Sequence, residues 1–306
     1  RHGRPQPPPQ GPLRVLDLGA GPGAASFAAL RAFARAYPDR PVELLAVDRS
    51  ARALDALRRL FASGRRTGWP AAALDTRQED VAVFQPPAGA SFDLLLASFA
   101  LNEAFAANPA ALRAWLPARL QALTPGGVFV LIEPAGSSAG LALAALRDEL
   151  AASGAAVVLA PCLHHEPCPL RRDGRYECHE VRRWRPPDSL AALNRRLRRS
   201  VHEVKFSFLA LAAPDGLADR PPARGASDVC RLVAPVSRIK GRFLTAGCFG
   251  NGELHDVELM TRGLDAEAKA AIKRRQRGDV VRVLAPRLLG DGRTLRAEGL
   301  APVQNS

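Results

Sequence analysis

Leu13-Arg14-Val15-Leu16-Asp17-Leu18-Gly19-Ala20-Gly21-Pro22-Gly23 is the stretch on which the fold turns. Leu13 to Leu18 is a short, mostly apolar run. The glycines after it lead into the alanine-rich periodic segment Ala24 to Ala36. The reading is strand, glycine turn, helix. Glycine lets backbone approach a ligand closely, and a helix N-terminus offers unpaired N–H groups. A second strand, Val42 to Val47, ends in Asp48, where a nucleotide-binding βαβ unit places the carboxylate that takes a ribose diol.

Outward from that unit the alternation continues. Ser50 to Ser63 reads as a helix, Ala71 to Leu74 as a short strand, and Asp75 to Asp80 as a polar loop. Phe92 to Ala97 is a strand, and Asn108 caps a helix from Pro109 to Leu123. Thr124 to Gly127 is a turn, Val128 to Ile132 a strand, Leu141 to Ser153 a helix and Ala156 to Ala160 a strand. Such alternation predicts an α/β domain on a parallel sheet.

A dinucleotide turn would read G-x-G-x-x-G, whereas this one carries an acid two residues before its first glycine. It resembles motif I of class I (Rossmann-like) S-adenosylmethionine-dependent methyltransferases. The resemblance implies that Asp17, Gly19, Gly21 and Gly23 embrace the amino acid moiety of the cofactor and that Asp48 holds its ribose. Asp75 would open the loop at the adenine edge. After the fourth strand, Ser98-Phe99-Ala100-Leu101-Asn102-Glu103 has neither the Asn/Asp-Pro-Pro-aromatic of amino-methylating enzymes nor a Pro-Cys pair for carbon methylation. Asn102 and Glu103 are left as the catalytic candidates.

The chain has 306 residues and a net charge of +13, unevenly spread. Residues 1–150 carry 16 Lys/Arg against 13 Asp/Glu, and residues 151–306 carry 27 against 17. A basic second half is the footprint of a nucleic-acid partner, or a solvated surface in an arginine-rich proteome. No apolar run reaches the eighteen residues or so of a membrane span, so no membrane partner is expected. Met260 is the only methionine, so the chain is expected to begin inside a longer protein, and the proline-rich residues 1–12 read as a linker.

Cys162, Cys168, Cys178 and Cys248 form a C-x5-C-x9-C-x69-C pattern, with Cys230 as the fifth cysteine. Pro161, Pro167 and Pro169 hold the first stretch extended, and His164, His165 and His179 lie among the thiols. Disulfides suit oxidising compartments, and the domain before the cysteines looks cytosolic or matrix-like. Cys230, among Val229, Leu232 and Val233, reads as a small hydrophobe. The other four read as metal ligands. With no C-x2-4-C knuckle, separated thiolates suit an iron–sulfur cluster at least as well as zinc, and the histidines keep zinc as the competing answer.

Between Arg171 and Lys205 lie eleven Lys/Arg against five acids, with Tyr176 and Trp184 interleaved. Arginine grips phosphate bidentately and aromatics stack on bases, so Arg182, Arg183, Arg195 and Arg196 are RNA candidates, joined by Lys240 and Arg242. Lys269, Lys273, Arg274, Arg275 and Arg277 make a further cluster. The strands Phe206 to Ala212, Cys230 to Ala234, Gly241 to Cys248, Glu253 to Met260, Val280 to Leu284 and Thr294 to Leu300 suggest a small antiparallel module, OB-like by analogy, with a hairpin turn at Gly250-Asn251-Gly252.

Taken in order, the glycine turn, Leu95-Leu96-Ala97-Ser98-Phe99-Ala100-Leu101-Asn102-Glu103, Ile132-Glu133-Pro134-Ala135-Gly136, the stretch Pro161 to Leu170, Cys178-His179, Lys205-Phe206-Ser207-Phe208-Leu209 and Arg238-Ile239-Lys240-Gly241 resemble the methyltransferase-like small-ribosomal-subunit protein family of bacteria and mitochondria. The resemblance implies S-adenosylmethionine binding, a 4Fe-4S cluster on Cys162, Cys168, Cys178 and Cys248, and action on small-subunit rRNA in ribosome assembly. A non-catalytic assembly factor with a vestigial pocket is the alternative, as is a zinc-bound methyltransferase of another substrate. The expected organisation is a linker (1–12), a cofactor-binding α/β domain (13–160), a cysteine- and arginine-rich metal seam (161–204) and a basic β-rich module (205–306). A monomer is expected, in a bacterial cytoplasm or, alternatively, a mitochondrial matrix.

Overall fold

The structure is a computed structural model and describes residues 11–65, 71–106, 108–199, 201–214 and 225–303. Two compact units divide the chain, Arg1–Leu131 and Ile132–Ser306. Of the expected linker only Gly11 and Pro12 fall within the described residues.

The first unit opens with β1 (Leu13–Leu18), α1 (Ala24–Ala36), β2 (Val42–Asp48), α2 (Ala51–Arg65) and β3 (Ala72–Gln78). Then come β4 (Phe92–Ser98), α3 (Leu101–Ala104), α4 (Pro109–Leu120) and β5 (Leu123–Pro134), whose last residues begin the second unit. Its strands lie in the order β3-β2-β1-β4-β5, and β1 runs parallel to both β2 and β4. Central β1 is buried at all but one position, as a strand covered on both faces must be. Leu30 of α1 and Phe61 of α2 pack with Val15, Val42, Leu44 and Leu96 of the sheet. Ser50 starts α2 by accepting from the Ala53 amide (3.2 Å), and Asn108 starts α4 by accepting from Ala111 (3.3 Å).

The helix expected to reach Leu123 ends at Leu120, the one expected from Leu141 starts at Ser137, and two stretches read as loop or turn are strand. The polar run after Leu74 is not a loop: Asp75 to Gln78 continue β3, paired in parallel with Leu45 to Asp48. The expected turn Thr124 to Gly127 lies inside β5, where Gly126 has φ +82° and the Thr124 hydroxyl bonds to Phe92 O (3.3 Å) and the Asp93 carboxylate (3.2 Å). A positive φ lets the strand bend without ending.

The second unit contains α5 (Ser137–Ser153), β6 (Val157–Ala160), α6 (Pro169–Asp173), β7 (Glu180–Arg183), α7 (Asp188–Arg196) and β8 (Glu203–Ala212). It continues with β9 (Val229–Leu232), β10 (Ser237–Ile239), β11 (Arg242–Phe249), β12 (Leu254–Met260) and α8 (Ala266–Arg274). β13 (Val280–Leu284), β14 (Arg287–Leu288), β15 (Thr294–Ala297) and β16 (Gly299–Pro302) complete it. β8 pairs antiparallel with both β6 and β7. A second sheet runs β14-β15-β12-β11-β9-β13-β16, with β10 on β11. The module is therefore mixed rather than antiparallel, since β12 and β15 are parallel. Phe243, Phe249, Val257, Leu259, Val281 and Val283 form its core with Ile272 of α8. α8 occupies what reads in the sequence as one more basic cluster, and Asp265 caps it by accepting from Ala268 (2.7 Å).

Candidate functional site

The first unit carries a cleft at the carboxyl ends of β1, β2 and β4, lined by Gly19, Asp48, Arg49, Ser50, Asp80, Val81, Phe99, Ala100, Glu103 and Ala104, with a volume of about 270 Å³. The strand order reverses between β1 and β4, and ligands of such sheets bind outside the carboxyl ends at that switch point. Gly19 has φ +74°, and a Cβ there would lie 2.3 Å from the Ala100 Cβ, so the turn after β1 and the loop after β4 close on one another only because residue 19 is glycine. Asp48 braces the turn: one carboxylate oxygen accepts from Gly21 N (2.8 Å) and the other from Ser50 N (2.8 Å). Each oxygen keeps a second lone pair.

Of the sequence candidates, Gly19, Asp48 and Glu103 line this cleft, while Gly21 and Gly23 shape the turn behind it. Asn102 is exposed and outside the lining. Asp75 is exposed on β3 and also outside it; the acid delivered to the cleft is Asp80, beyond the end of that strand. Phe99, at the cleft, holds φ +56°, a backbone conformation that costs a non-glycine residue energy and is concentrated at functional sites.

Asp17 is fully buried in β1, with one carboxylate oxygen accepting from the Ser26 hydroxyl (2.5 Å) and the other without a partner. Burial pushes its pKa up to about 6, against the pull of Ser26. An acid whose folded pKa is raised costs no stability below its unfolded pKa near 4 and costs most above the folded one. Ionisation thus removes roughly 3 kcal/mol as pH rises from 4 through 6, at about 1.4 kcal/mol per pKa unit. Asp17→Asn is expected to melt higher than wild type at pH 7 and equal to it below about pH 4. A constant difference across that range would refute the assignment.

The four cysteines predicted as ligands all lie in the second unit and line one cavity of about 40 Å³ there, more than the 10–15 Å³ or so a water needs. Cys162 and Cys168 come from the segment between β6 and α6, Cys178 from the segment before β7, and Cys248 from β11. The proline-punctuated loop is fixed by hydrogen bonds: Cys168 N donates to Asp148 Oδ1 (3.0 Å), and Ser207 Oγ donates to Cys178 O (3.1 Å). Leu170, Val233, Ala234 and Ala246 back the thiols with apolar wall.

Two buried arginines face the same cavity. Arg147 of α5, 2% exposed, binds the Asp148 carboxylate (2.8 Å) and the carbonyls of His164 and Glu166. Arg231 of β9, 5% exposed, binds Gly278 O (2.9 Å) and the Glu180 carboxylate. The Nε of each has no partner. Burial works against both charges, yet Cys162 and Asp148 raise the pKa of Arg147, and Cys178 and Glu180 raise that of Arg231. Burial pushes Cys162 up to about 11, opposed by Arg147 and reinforced by Cys178 and Cys168. Cys248 is pushed well above its usual value by burial and then by the other three thiols.

Among the described residues no group of three or more His, Cys, Asp or Glu side chains is arranged to hold a single metal ion. The expected metal seam is therefore not shown: the four thiols line a cavity within the second unit, without an arrangement that could hold a metal ion. Of the three neighbouring imidazoles only His164 lines the cavity, with Nε2 3.3 Å from Cys248 Sγ. His165 faces Val158 O (3.5 Å), and His179 faces Arg277 (2.8 Å). Cys230 packs in the β-sheet core, outside the cavity.

The RNA candidates separate into two kinds. Arg182 is committed to Glu180 and to Asp279 (3.5 Å), and Arg242 to Glu258 (2.9 Å). Arg195 and Arg196, in the last turn of α7, are exposed, as are Arg183 and Lys240. Among the described residues no helix is long and apolar enough to cross a membrane.

The model of the family described as mitochondrial small ribosomal subunit Rsm22 matches residues 6–282, a stretch containing the glycine turn and all four cavity cysteines. The chain belongs to the Rsm22 family. No curated protein sequence matches it significantly. Among solved structures, this Rsm22-family chain is similar to a Listeria monocytogenes protein assigned as a class I S-adenosylmethionine-dependent methyltransferase, at 13% identity and a TM-score of 0.41, over 70% of this chain and 57% of that one. It is also similar to a methyltransferase from Pyrococcus furiosus, at 11% identity and a TM-score of 0.38, over 68% and 77% of the two chains. S-adenosylmethionine-bound CalS10, an amino pentose methyltransferase from Micromonospora echinaspora, is 28% identical over 39% of this chain and 42% of its own, with a TM-score of 0.28. The strand order, rather than these likenesses, defines the Rsm22-family sheet.

Proposed function

We propose that this Rsm22-family chain is an iron–sulfur protein of the small ribosomal subunit that binds S-adenosylmethionine in its first unit and acts on rRNA during subunit assembly, in a mitochondrial matrix or a bacterial cytoplasm. The carrying observation is that four thiols from three separate segments line one cavity together with the buried guanidinium groups of Arg147 and Arg231. Burial and then the neighbouring thiols raise the pKa of Cys162, Cys168 and Cys248, while two buried cations face them. Four thiolates around a cluster carry net negative charge, which the arginines offset. Each cysteine of a cubane binds a different iron, so its sulfurs stand around a volume rather than a point, which favours a cluster over a lone zinc. Cys162, Cys168, Cys178 and Cys248 would hold it, and when bound it supplies a redox-active cross-tie between the segments.

The cleft of the first unit suits a cationic cofactor, because Asp48, Asp80 and Glu103 outnumber Arg49 in its lining. A second reading, that cofactor binding persists without methyl transfer, is favoured by Phe99 and Ala100, which stand where a target-holding polar loop would be needed. Isothermal titration with S-adenosylmethionine, beside transfer of labelled methyl to small-subunit rRNA, tests both readings. Asp48→Ala is expected to weaken cofactor binding at least tenfold. Binding without transfer supports the assembly-factor reading, and no binding by wild type removes the cofactor from the proposal.

A further inference from the structure

A second concavity of the second unit belongs to none of the sites above. It has a volume of about 380 Å³ and is lined by β7 and the chain before it, β8, Pro235-Val236, and the end of α8 with the chain that follows it. Its floor is one face of the β7–β8 ribbon. Residues two apart point the same way along a strand, and Val181 pairs with Lys205 and Arg183 with Glu203, so these four share a face. Its wall, Arg275-Gln276-Arg277, is tied to that floor. Val181 N donates to Arg277 O (3.3 Å), Arg183 N donates to Gln276 Oε1 (3.2 Å), and Asp279 accepts from Gln276 N (2.9 Å). These bonds, one between backbone groups and two from backbone N–H to side-chain oxygens, hold the shape before any ligand arrives.

Its charge is out of balance. Arg183, Lys205, Lys273, Arg275 and Arg277 line it against only Glu177 and Glu203. Glu203 is spent on Arg183 (3.7 Å), and Glu177 lies beside His179 (3.9 Å). Lys273 answers in part the carbonyl end of α8, whose last turn it occupies. Lys205, Arg275 and Arg277 remain. Arg277 bonds to an imidazole rather than a carboxylate, and the Nε of Arg275 is buried with no partner at all. Guanidinium groups in that state call for an anion with several acceptor oxygens. The described lining holds no Phe, Tyr or Trp, and its imidazole, His179, is engaged by Arg277, so nothing in it is placed to read a base by stacking.

We infer that this concavity is a phosphate-binding site that grips the sugar–phosphate backbone of single-stranded RNA through Lys205, Arg275 and Arg277, without regard to base sequence. The inference deepens the rRNA reading by giving the RNA a defined groove in place of a diffuse basic surface. Its volume, within the range of about 300–1,000 Å³ typical of ligand sites, admits a phosphodiester with its ribose.

The test is fluorescence anisotropy with a labelled single-stranded RNA of about twelve nucleotides, titrated at several salt concentrations against the full chain. Lys205→Gln/Arg275→Gln is expected to bind at least tenfold more weakly and to lose about 1.4 from the slope of log K against log salt, at roughly 0.7 per phosphate contact on a single strand. Its melting temperature is expected to match wild type, because neither side chain holds a carboxylate. Arg195→Gln/Arg196→Gln, on α7, is expected to keep most of the affinity. Unchanged affinity and slope in the Lys205/Arg275 variant would overturn the inference. Inorganic phosphate and AMP separate the sources: competition only by oligonucleotides supports a backbone site, whereas millimolar AMP displacing the RNA replaces it with a mononucleotide pocket. If wild type binds no RNA, the rRNA reading fails. The phosphate site then stands only if inorganic phosphate raises the melting temperature of wild type and not of the double variant.

Discussion

Cys168→Ser is expected to leave the anaerobically purified chain colourless, where wild type shows a broad band at roughly 400 nm and about four irons and four sulfides per chain. Cys168 is 8% exposed, stands directly before α6, and packs among Leu170, Val233, Ala234 and Ala246. A serine hydroxyl is a far poorer iron ligand than a thiolate, and it leaves an oxygen against that apolar wall. Since the binding energy of such a centre is folding energy, the second unit should also melt lower and become protease-sensitive. Cys230→Ser is the control: that residue is fully buried in the β-sheet core away from the cavity, so the variant should lose stability and keep its colour. A wild type with one tightly held zinc and no iron would sink the cluster. Colour retained in Cys168→Ser would remove that residue from the ligand set.

Arg231→Met is expected to destabilise the second unit by about 3–5 kcal/mol, the cost of stripping the partner from a buried ion. Glu180 is 3% exposed, and Arg231 is the cation buried beside it. There is no room for the carboxylate to retreat. A Cβ at Gly278 would lie 2.4 Å from Glu180 Oε2, so the backbone already closes over it. Arg182 also pairs with Glu180 but is 40% exposed, so solvent screens its share and Arg182→Gln should cost well under half as much. Arg231→Met/Glu180→Leu should recover most of the loss, because an apolar pair of similar volume leaves no stranded charge. Chemical denaturation of the three variants decides it. Equal losses for Arg231→Met and Arg182→Gln would mean that burial is not what sets the cost.

The glycine turn was legible because strand, turn and helix are each encoded locally, and the structure follows the expected bounds of β1 and α1 to the residue. The acid that lines the cleft beyond β3 was not. Asp75 to Gln78 are polar enough to read as a loop, but an edge strand needs only one apolar face and a partner, and β2 supplies the partner. That extension carries Asp80, not Asp75, to the cleft. α8 was hidden by its own lysines and arginines, although Asp265 followed by Glu267 is a helix-start signal that a search for caps would have found. The arginine count could not say which guanidinium groups are engaged, since Arg242 meets Glu258 across a strand pair and Arg182 meets Asp279 from far along the chain. The cysteine spacing named the four thiols that line the cavity but not Arg147 or Arg231, whose role depends on burial that no local pattern displays.

Glu177-Cys178-His179 leads into β7 with its middle residue lining the thiol cavity and its outer two lining the basic one. The same peptide planes therefore border both compartments, and whatever orders one stiffens the edge of the other. Coupling of this kind is reciprocal by thermodynamic necessity. If the cluster-loaded chain grips RNA more tightly than the bare one by some factor, bound RNA must raise the chain's affinity for the cluster by the same factor. A nascent subunit would then act as custodian of an oxygen-sensitive centre, and iron supply would set how firmly the factor holds its RNA.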